Sequence, residues 1–292
     1  MKTARVHDGD GGECHVIRDN FSEERTPLCV LTVAGSDSGA GAGMQADART
    51  IQALGGYALT VVTAVTAQTT RGVKAWRAVG TDLLRAQLEA VLGDFRVAAI
   101  KTGLLPGASA VRAVARAVND FPELPLVVDP VIGSTSGTRF LSEGGLRVLK
   151  KELLPRAAVV TPNWPEAEAL SGLRIESFND AAKAARKILE TGCGAVLVKG
   201  GHAPGGRCRD VLVWRGERGM IERRWFSGAR VKTPNTHGTG CVLSAAIATG
   251  LAKGATVEEA VRDARAFLLN ALKAGRRWDW GGGAGAAFVS DA

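Results

Sequence analysis

The chain has 292 residues, of which 46% are hydrophobic and 23% charged, a composition typical of a globular protein rather than a fibrous or low-complexity one. Its formal net charge is +8, but aromatic residues make up only 5% and the basic residues are scattered, which argues against a nucleic-acid-binding surface. The five cysteines are odd in number and no pair has CxxC spacing, so a disulfide framework and a zinc site are both disfavoured and a reducing cytoplasm is favoured.

The N-terminal 27 residues differ from the rest of the chain. They are polar and carry six acidic side chains, which argues against a secretory signal and against a transit peptide. No apolar run anywhere reaches the roughly 18 residues that a membrane span needs. We interpret residues 1–27 as a flexible extension and expect residues 28–292 to form a single domain.

Short apolar runs alternate after residue 27 with helical patterns of about 10 to 15 residues. In chain order, the predicted elements are a strand over 28–34, a helix over 44–54, a strand over 59–65, a helix over 81–92, a strand over 97–100, a helix over 108–118, a strand over 126–128, a helix over 143–153, a strand over 157–160, helices over 166–170 and 179–189, a strand over 195–198, a hairpin within 210–226, and helices over 241–251 and 257–274. The glycine-rich residues 281–285 are predicted to form a loop.

This alternation predicts a three-layer α/β/α domain with a mostly parallel central sheet. The strands are continuously apolar, as expected when helices cover both faces of a parallel sheet. Ligands of such folds bind at the carboxyl ends of the strands. Polar or glycine-rich motifs follow the predicted strands at 35–37, 101–103, 129–130, 161–163 and 199–202. We therefore expect the functional residues at this edge of the sheet.

The segment NTHGTGC, over 235–241, precedes an apolar helical pattern. Its glycines, Gly238 and Gly240, leave backbone N–H groups unobstructed, and the helix start adds further N–H groups and the positive end of its dipole. Such a segment suits a triphosphate and the charge that develops during phosphoryl transfer. From spacing alone, an ordinary glycine-rich helix start would look the same.

Cys241 lies in the first turn of that helix. A helix N-terminus lowers the pKa of a thiol, so Cys241 could act as a base or a nucleophile. The alternative is a small buried residue in a tight turn, since free cysteines are commonly core residues.

A second glycine-rich segment, GSDSGAGAG over 35–43, lies between a predicted strand and a predicted helix. A dinucleotide-binding fingerprint would need a third glycine where Met44 stands, and a Walker A loop would need Gly-Lys-Ser/Thr. A dehydrogenase is therefore disfavoured, and a substrate-side turn is at least as well supported as a phosphate cradle. Asp37 and Asp47 could accept hydrogen bonds from a ligand, or could instead cap and charge the following helix.

Carboxylate, amide and ammonium side chains follow three other predicted strands. A carboxylate at Asp129 could hold Mg²⁺ through water. Asn163 and Glu166 could serve the same metal, although an Asx turn and a helix-start charge are the ordinary alternatives. Lys199 adds a cation, or belongs to a plain turn. Adjacent parallel strands would bring these side chains to one crevice.

The motifs taken together resemble a known family. From Val30 to about Lys273 the chain contains, in order, VAGSDSGAGAGMQAD, TAVTAQTTRGV, IKTGLL, VVDPVIGSTSG, VVTPNWPEAEAL, VLVKGGH and KTPNTHGTGCVLSAAIATGLAKG. Their order and spacing resemble those of the hydroxymethylpyrimidine/phosphomethylpyrimidine kinases of thiamine biosynthesis, which belong to the ribokinase-like superfamily.

The resemblance implies a ribokinase-like enzyme that depends on ATP and Mg²⁺ and forms a homodimer. It would phosphorylate the hydroxymethyl oxygen of 4-amino-5-hydroxymethyl-2-methylpyrimidine and then the resulting monophosphate, giving a pyrophosphate for thiamine biosynthesis.

The resemblance also implies roles for individual residues. The pyrimidine-binding positions are Gly35, Asp47, Thr66, Gln68 and Leu104. The anion hole and the catalytic position are Gly238, Thr239, Gly240 and Cys241, and Cys241 stands where relatives such as ribokinase carry an aspartate base. The residues expected at ATP are Asn163, Lys199, Thr236 and His237. The residues expected at the metal are Asp129 and Glu166.

Several features depart from the family pattern, and two other functions remain as alternatives. Thr135 stands where some members have lysine, and the acidic N-terminal extension is not typical. One alternative is a pyridoxal kinase, because some members that carry the cysteine accept pyridoxal on the same fold. The other is a non-catalytic binding or regulatory module, although the complete HGTGC segment would be unnecessary in one.

Overall fold

The structure is a computed structural model that describes residues 5–7, 13–15, 26–133, 137, 139–202, 206–216 and 219–289. Thr135 lies outside these described residues. Within the first 25 residues, two three-residue strands pair as an antiparallel ribbon, and the extension predicted for residues 1–27 stays a prediction. No helix in the described ranges is long and apolar enough to cross a membrane.

Strands and helices alternate along most of the chain. The strands are β1 Arg5–His7, β2 Glu13–His15, β3 Cys29–Asp37, β4 Tyr57–Thr69, β5 Gly72–Ala78, β6 Val97–Thr102, β7 Leu126–Val128, β8 Val159–Val160, β9 Ala195–Val198, β10 Arg207–Arg215 and β11 Ile221–Ala229. The helices are α1 Gly43–Ala53, α2 Thr81–Asp94, α3 Gly107–Asn119, α4 Glu143–Val148, α5 Trp164–Ser171, α6 Phe178–Leu189, α7 Thr239–Ala252 and α8 Val257–Gly275.

One nine-stranded sheet has the order β11-β10-β9-β8-β7-β6-β3-β4-β5. The six strands from β9 to β4 in this order are parallel to one another. Strand β5 pairs antiparallel with β4 at one edge, and the β10–β11 hairpin pairs antiparallel with β9 at the other. The predicted fold class, a mostly parallel sheet in an α/β domain, is confirmed.

Two hydrophobic layers cover the two faces of the sheet because alternate strand residues point in opposite directions. Leu31 and Val33 of β3 face a layer built with α2 to α6. Val30 of the same strand faces a layer to which α7 and α8 contribute. Helix α7 is apolar almost all round because it packs between the sheet and both α1 and α8. These contacts hold the start of α7 against the carboxyl ends of the strands.

The predicted elements are all present, with boundaries that move by a few residues. Strand β3 continues through Gly35 to Asp37, so part of the predicted turn is strand. The predicted helix over 143–153 is a short α-helix followed by a π-helical turn over Leu149–Leu153. The sequence pattern missed β5, an edge strand whose residues are mostly exposed and include Lys74 and Arg77. An edge strand does not need the apolar run that marks a central one.

Candidate active site

Two glycine-rich segments contact each other at the carboxyl edge of the sheet. Gly238 precedes α7 with a φ of 76°, in the left-handed region that favours glycine. A Cβ atom at this position would collide with the carbonyl oxygen of Gly41, in the loop between β3 and α1. The glycine requirement at Gly238 therefore comes from close packing of two loops as well as from the turn.

The start of α7 lies beside the ion pair of Lys199 and Asp129. Thr239, Gly240 and Cys241 form the first turn, where the N–H groups have no partner within the helix. A Cβ atom at Gly240 would lie 3.3 Å from both Asp129 Oδ2 and Lys199 Nζ. Glycine at this position leaves a space beside the donors and the charges, which is the arrangement expected of a phosphate cradle.

Lys199 links two carboxylates that follow neighbouring strands. Its Nζ lies 2.9 Å from Asp129 Oδ1 and 3.9 Å from Glu166 Oε2. Thr161 donates a second hydrogen bond to Asp129, at 3.1 Å. Asn163 caps α5 through a reciprocal pair of hydrogen bonds in which its side chain accepts from the amide of Glu166 and the Glu166 carboxylate accepts from the amide of Asn163. The structure thus brings together four of the residues predicted for ATP and metal.

The two carboxyls of this cluster differ in acidity. Burial raises the pKa of Glu166 to about 7. The Asp129 charge also raises this pKa, whereas the Lys199 ammonium lowers it. Burial would also raise the pKa of Asp129, but Lys199 and Lys101 lower it below its usual value. Asp129 is therefore the charged partner at neutral pH, and Glu166 is poised to gain or lose a proton.

Asp47 lies in α1, near Cys241 in the first turn of α7, and is fully buried. Its Oδ2 accepts hydrogen bonds from Lys101 Nζ at 2.7 Å and from Thr32 Oγ1 at 2.6 Å. Its Oδ1 is buried without a hydrogen-bond partner among the described residues. Lys101 was not among the predicted site residues, although a lysine inside an otherwise apolar strand could have signalled a buried ion pair.

The environment of Cys241 reverses one expectation. Burial raises the pKa of its thiol to about 12, and the carboxylates of Asp47 and Asp129 act in the same direction. The Lys101 ammonium and the amide of Gly43 act against them. The prediction that the helix N-terminus lowers this pKa is therefore wrong, because burial and two nearby carboxylates outweigh the helix. Cys241 carries a neutral thiol in this structure.

The side chains of Gln68 and His237 are in contact, and the His237 ring lies against Gly41 of the loop between β3 and α1. His237 Nε2 lies 2.8 Å from Gln68 Nε2 and 2.9 Å from Asp37 Oδ2. Asp37 also accepts hydrogen bonds from the amides of Gly39 and Ala42, so it organises the loop that packs on Gly238. The ring of His237, predicted to lie at ATP, therefore contacts a residue predicted to bind the pyrimidine.

The remaining predicted pyrimidine residues lie nearby on β3, β4 and the loop after β6. A Cβ atom at Gly35 would lie 2.9 Å from Leu104 Cδ2, so these two residues are in close contact. Thr66 donates a hydrogen bond to the carbonyl oxygen of Ser36 at 3.0 Å and is nearly buried. The structure thus places Gly35, Thr66 and Leu104 in one region.

Two residues of the NTHGTGC segment have other surroundings. Asn235 is buried, and its side chain donates to the carbonyl oxygens of Gly275 and Trp278 and accepts from the amide of Gly285. Through Trp278 and Gly285, Asn235 holds the C-terminal tail, the chain after α8, in place. Thr236 is exposed and its contact with ATP stays a prediction. Within the described residues there is no group of three or more His, Cys, Asp or Glu side chains arranged to hold a metal ion.

Comparisons with known proteins give a consistent result. A family model described as phosphomethylpyrimidine kinase matches residues 37–287. A hydroxymethylpyrimidine/phosphomethylpyrimidine kinase of Rhizobium meliloti is 45% identical over 256 residues, which cover 87% of this chain and 94% of the relative.

Solved structures extend this likeness. A Bacillus subtilis pyridoxal kinase in complex with ADP superimposes with a TM-score of 0.81 at 32% identity, covering 90% of this chain and 97% of that one. A phosphomethylpyrimidine kinase of Clostridium difficile gives a TM-score of 0.72 at 35% identity, covering 84% of this chain and 99% of that one.

Proposed function

The chain belongs to the phosphomethylpyrimidine kinase family, and on this premise we propose that it transfers a phosphoryl group from ATP to the hydroxymethyl oxygen of 4-amino-5-hydroxymethyl-2-methylpyrimidine and then phosphorylates the monophosphate. The observation that carries this proposal is the convergence of the α7 start and the Lys199–Asp129 pair at one edge of the sheet. Phosphoryl transfer needs mainly positioning and charge neutralisation, and this edge supplies both.

The α7 start and Lys199 fit the phosphates of ATP. The donors of Gly240 and Cys241 belong to a first helical turn, and Gly240 keeps the space in front of Lys199 and Asp129 open. In this arrangement the backbone donors hold phosphate oxygens while Lys199 compensates charge that develops during transfer. Bound ATP supplies the phosphoryl group. Asn163, Thr236 and His237 are further proposed contacts of the nucleotide or of the loops that enclose it.

Asp129 and Glu166 fit Mg²⁺ held through water rather than bound directly. Lys199 already occupies the space between the two carboxylates, at 2.9 Å and 3.9 Å. A cation nearby would favour the ionised form of Glu166, whose pKa stands at about 7 in its absence. Oxygen ligands of this kind, together with water, suit Mg²⁺. The metal would supply charge neutralisation on the phosphates.

Cys241 is the proposed catalytic residue at the substrate hydroxyl. Its thiol is neutral before the ligands bind, since its pKa is raised to about 12. It therefore begins as a hydrogen-bond donor or acceptor that orients the hydroxyl oxygen. The sulfur can accept the substrate proton only after its own proton has passed to solvent water, and the Lys101 ammonium favours that ionised form against burial and the two carboxylates.

The pyrimidine is proposed to lie against Gly35, Thr66, Gln68 and Leu104, with Asp47 beneath it. The carboxamide of Gln68 can hydrogen-bond the edge of an aminopyrimidine. Asp47 contributes a carboxylate whose second oxygen lacks a partner among the described residues.

Product analysis tests the function directly. The purified chain is incubated with the pyrimidine alcohol, ATP and Mg²⁺, and the products are followed by mass spectrometry. We expect the monophosphate first and the pyrophosphate later. Pyridoxal is the competing substrate because the solved structures of similar fold include pyridoxal kinases. Turnover of pyridoxal without turnover of the pyrimidine would reject the proposal, and pyrimidine binding without ATP consumption would favour a binding module instead.

We also propose the domain organisation, assembly and location expected from the sequence. Residues 28–292 would form one kinase domain with 1–27 appended, so a chain beginning at Thr26 should retain full activity. A homodimer would give twice the chain mass in light scattering. Free thiols at Cys29, Cys193, Cys208 and Cys241, together with the use of ATP, support a reducing cytoplasm.

A further inference from the structure

One ring nitrogen of His237 has two polar side chains within hydrogen-bond distance. Nε2 lies 2.9 Å from Asp37 Oδ2 and 2.8 Å from the carboxamide of Gln68. Nε2 of an imidazole either carries a hydrogen and donates, or lacks one and accepts. The two neighbours must therefore both be compatible with the same protonation state of this nitrogen.

Asp37 decides which state this is. Both of its oxygens accept backbone hydrogen bonds at 2.9 Å, Oδ1 from the amide of Gly39 and Oδ2 from the amide of Ala42. Against the effect of burial, these bonds contribute to a pKa below the usual value for its carboxyl. Asp37 is therefore an ionised carboxylate that only accepts hydrogen bonds. Nε2 must carry a hydrogen to lie 2.9 Å from it.

The orientation of Gln68 follows from that hydrogen. A protonated Nε2 cannot accept a hydrogen bond from the NH₂ group of an amide. The oxygen and nitrogen of a carboxamide have nearly the same shape, and the hydrogen-bond network decides which of them faces a neighbour. Gln68 therefore presents its Oε1 to His237, so that the single hydrogen on Nε2 is shared between Asp37 Oδ2 and Gln68 Oε1. The NH₂ group of Gln68 then points away from His237, where no hydrogen-bond partner is found among the described residues.

His237 is held independently of any substrate. Its backbone amide donates to the carbonyl oxygen of Gly285, and its carbonyl oxygen accepts from the amide of Ala287. Its ring packs on Gly41, where an added Cβ atom would lie 2.6 Å from Cδ2. The donor aimed at Gln68 is thus fixed by the C-terminal tail and the glycine-rich loop.

We propose that His237 is a positioning residue that locks the Gln68 carboxamide with its NH₂ group toward the substrate pocket, so that Gln68 recognises a ring-nitrogen acceptor. This inference rests on the proposed function, because it places a pyrimidine beside Gln68. It also assigns the ring of His237 to the substrate side of the site rather than to ATP.

Nitrogen-15 NMR of the imidazoles tests the tautomer without any substrate. The chain has only four histidines, and the His237→Gln variant identifies the signals of His237 by their loss. We expect Nε2 to carry a hydrogen, because it lies 2.9 Å from the Asp37 carboxylate. An unprotonated Nε2 would overturn the inference, because it would then accept a hydrogen bond from the Gln68 NH₂ group.

Steady-state kinetics test the effect on the substrate. His237→Leu has no donor, and we expect it to raise the KM for the pyrimidine about tenfold, as the loss of one hydrogen bond allows, while the KM for ATP changes little. His237→Gln is of similar size and supplies N–H donors, so it should restore most of the affinity. A merely structural role would make the two variants alike, and equal KM values would overturn the inference.

Gln68→Glu tests the direction of the amide. It keeps an acceptor for His237 but has no NH₂ group for the pocket, so the KM for the pyrimidine should rise at least tenfold, by about the worth of one or two hydrogen bonds. Wild-type affinity in this variant would overturn the inference. If the wild-type chain phosphorylates no pyrimidine, the proposed function fails, and the NMR measurement then decides the state of His237 on its own.

Discussion

The chemistry of the site depends on how the surroundings of similar ionisable groups shift their pKa values in opposite directions. Asp129 and Glu166 share Lys199, yet the pKa of one carboxyl is lowered and that of the other is raised to about 7. Asp47 and Lys101 neutralise each other inside the protein. Cys241 lies near Asp47, Lys101 and Asp129, and its thiol keeps its proton. Environments that push titratable groups apart in this way are characteristic of active sites.

Replacement of Cys241 by alanine should lower kcat by about 10²-fold or more, the usual worth of a positioned proton-transfer group, with a small change in the KM for the pyrimidine. The substrate is bound by other side chains, so the loss falls on the transfer step. Initial rates over a range of pyrimidine concentrations measure both quantities. Cys208→Ala is the matched control, because Cys208 lies in β10 as a partly exposed free thiol, and it should retain wild-type rates. Wild-type turnover in Cys241→Ala would make Cys241 a packing residue.

The side chains and backbone donors of the site lie at the ends of helices and strands. Helix α7 contributes its first turn, α5 contributes a capped start, and the parallel strands deliver Asp129 and Lys199 to the same edge. The two glycines that open α7 have different reasons to be glycine. Gly238 has a positive φ and lies against backbone, whereas Gly240 faces charged side chains.

The two glycines should therefore respond differently to alanine. Gly238→Ala forces a Cβ into the left-handed region, at about 1 kcal/mol, and into the Gly41 carbonyl, so it should lower both Tm and activity. Gly240→Ala gains up to about 1 kcal/mol of helix propensity and should keep a Tm close to wild type.

The methyl group of Gly240→Ala would lie 3.3 Å from Lys199 Nζ, in the space proposed for the phosphates, so kcat/KM for ATP should fall by about 10²-fold. Thermal denaturation and steady-state rates measure both, and wild-type kinetics in Gly240→Ala would move the phosphates elsewhere.

Glu166→Gln separates the charge of Glu166 from its capping role. Glutamine can still accept the hydrogen bond from the amide of Asn163. In the wild type, burial raises the pKa of Glu166 from its usual 4.5 to about 7, so the folded chain binds more protons than the unfolded chain between these values. Stability of the metal-free chain should therefore fall as pH rises through this window, reaching its full loss above about pH 7.

The variant should lack this contribution, so it should be more stable than wild type at pH 8 and about equal at pH 4.5. Chemical denaturation in the presence of a chelator measures both. A variant that is less stable than wild type at pH 8 and equal to it at pH 4.5 would instead show that the Glu166 charge stabilises the fold. With ATP present, the variant should also need more Mg²⁺ for half-maximal rate.

At the scale of the whole molecule, the sequence predicted the parts whose signals are local. Strands buried on both faces are continuously apolar, so β3, β7 and β9 could be placed from their residues alone. The pKa of Cys241 could not be predicted, because it depends on Asp47 and Lys101, which arrive from other elements. The path of the C-terminal tail could not be predicted either, since a glycine-rich segment has no periodicity that specifies where it packs.

That tail joins three parts of the molecule. It starts after α8 and supplies Gly285 to the amide of His237. Gly282 accepts a hydrogen bond from Arg71 at the turn between β4 and β5, close in sequence to Gln68. The side chain of Asn235 makes two hydrogen bonds to the tail, at Trp278 and Gly285, and a third to Gly275 at the end of α8. The loop before α7 and the hairpin of β4 and β5 are therefore both held by the tail.

A chain that ends at Trp280 should lose these supports together. The hydrogen bonds of Gly282, Gly285 and Ala287 disappear, and at about 1 kcal/mol each their loss should lower Tm by roughly 5 °C. The KM for the pyrimidine and the KM for ATP should both rise, because His237 loses its backbone partners and the loop before α7 loosens. Arg71→Ala is the matched control: it cuts only the contact with the hairpin, so it should have a smaller effect on Tm and leave the KM for ATP unchanged. Wild-type kinetics in the shortened chain would show that the loop before α7 is held in place by its contact with Gly41 alone.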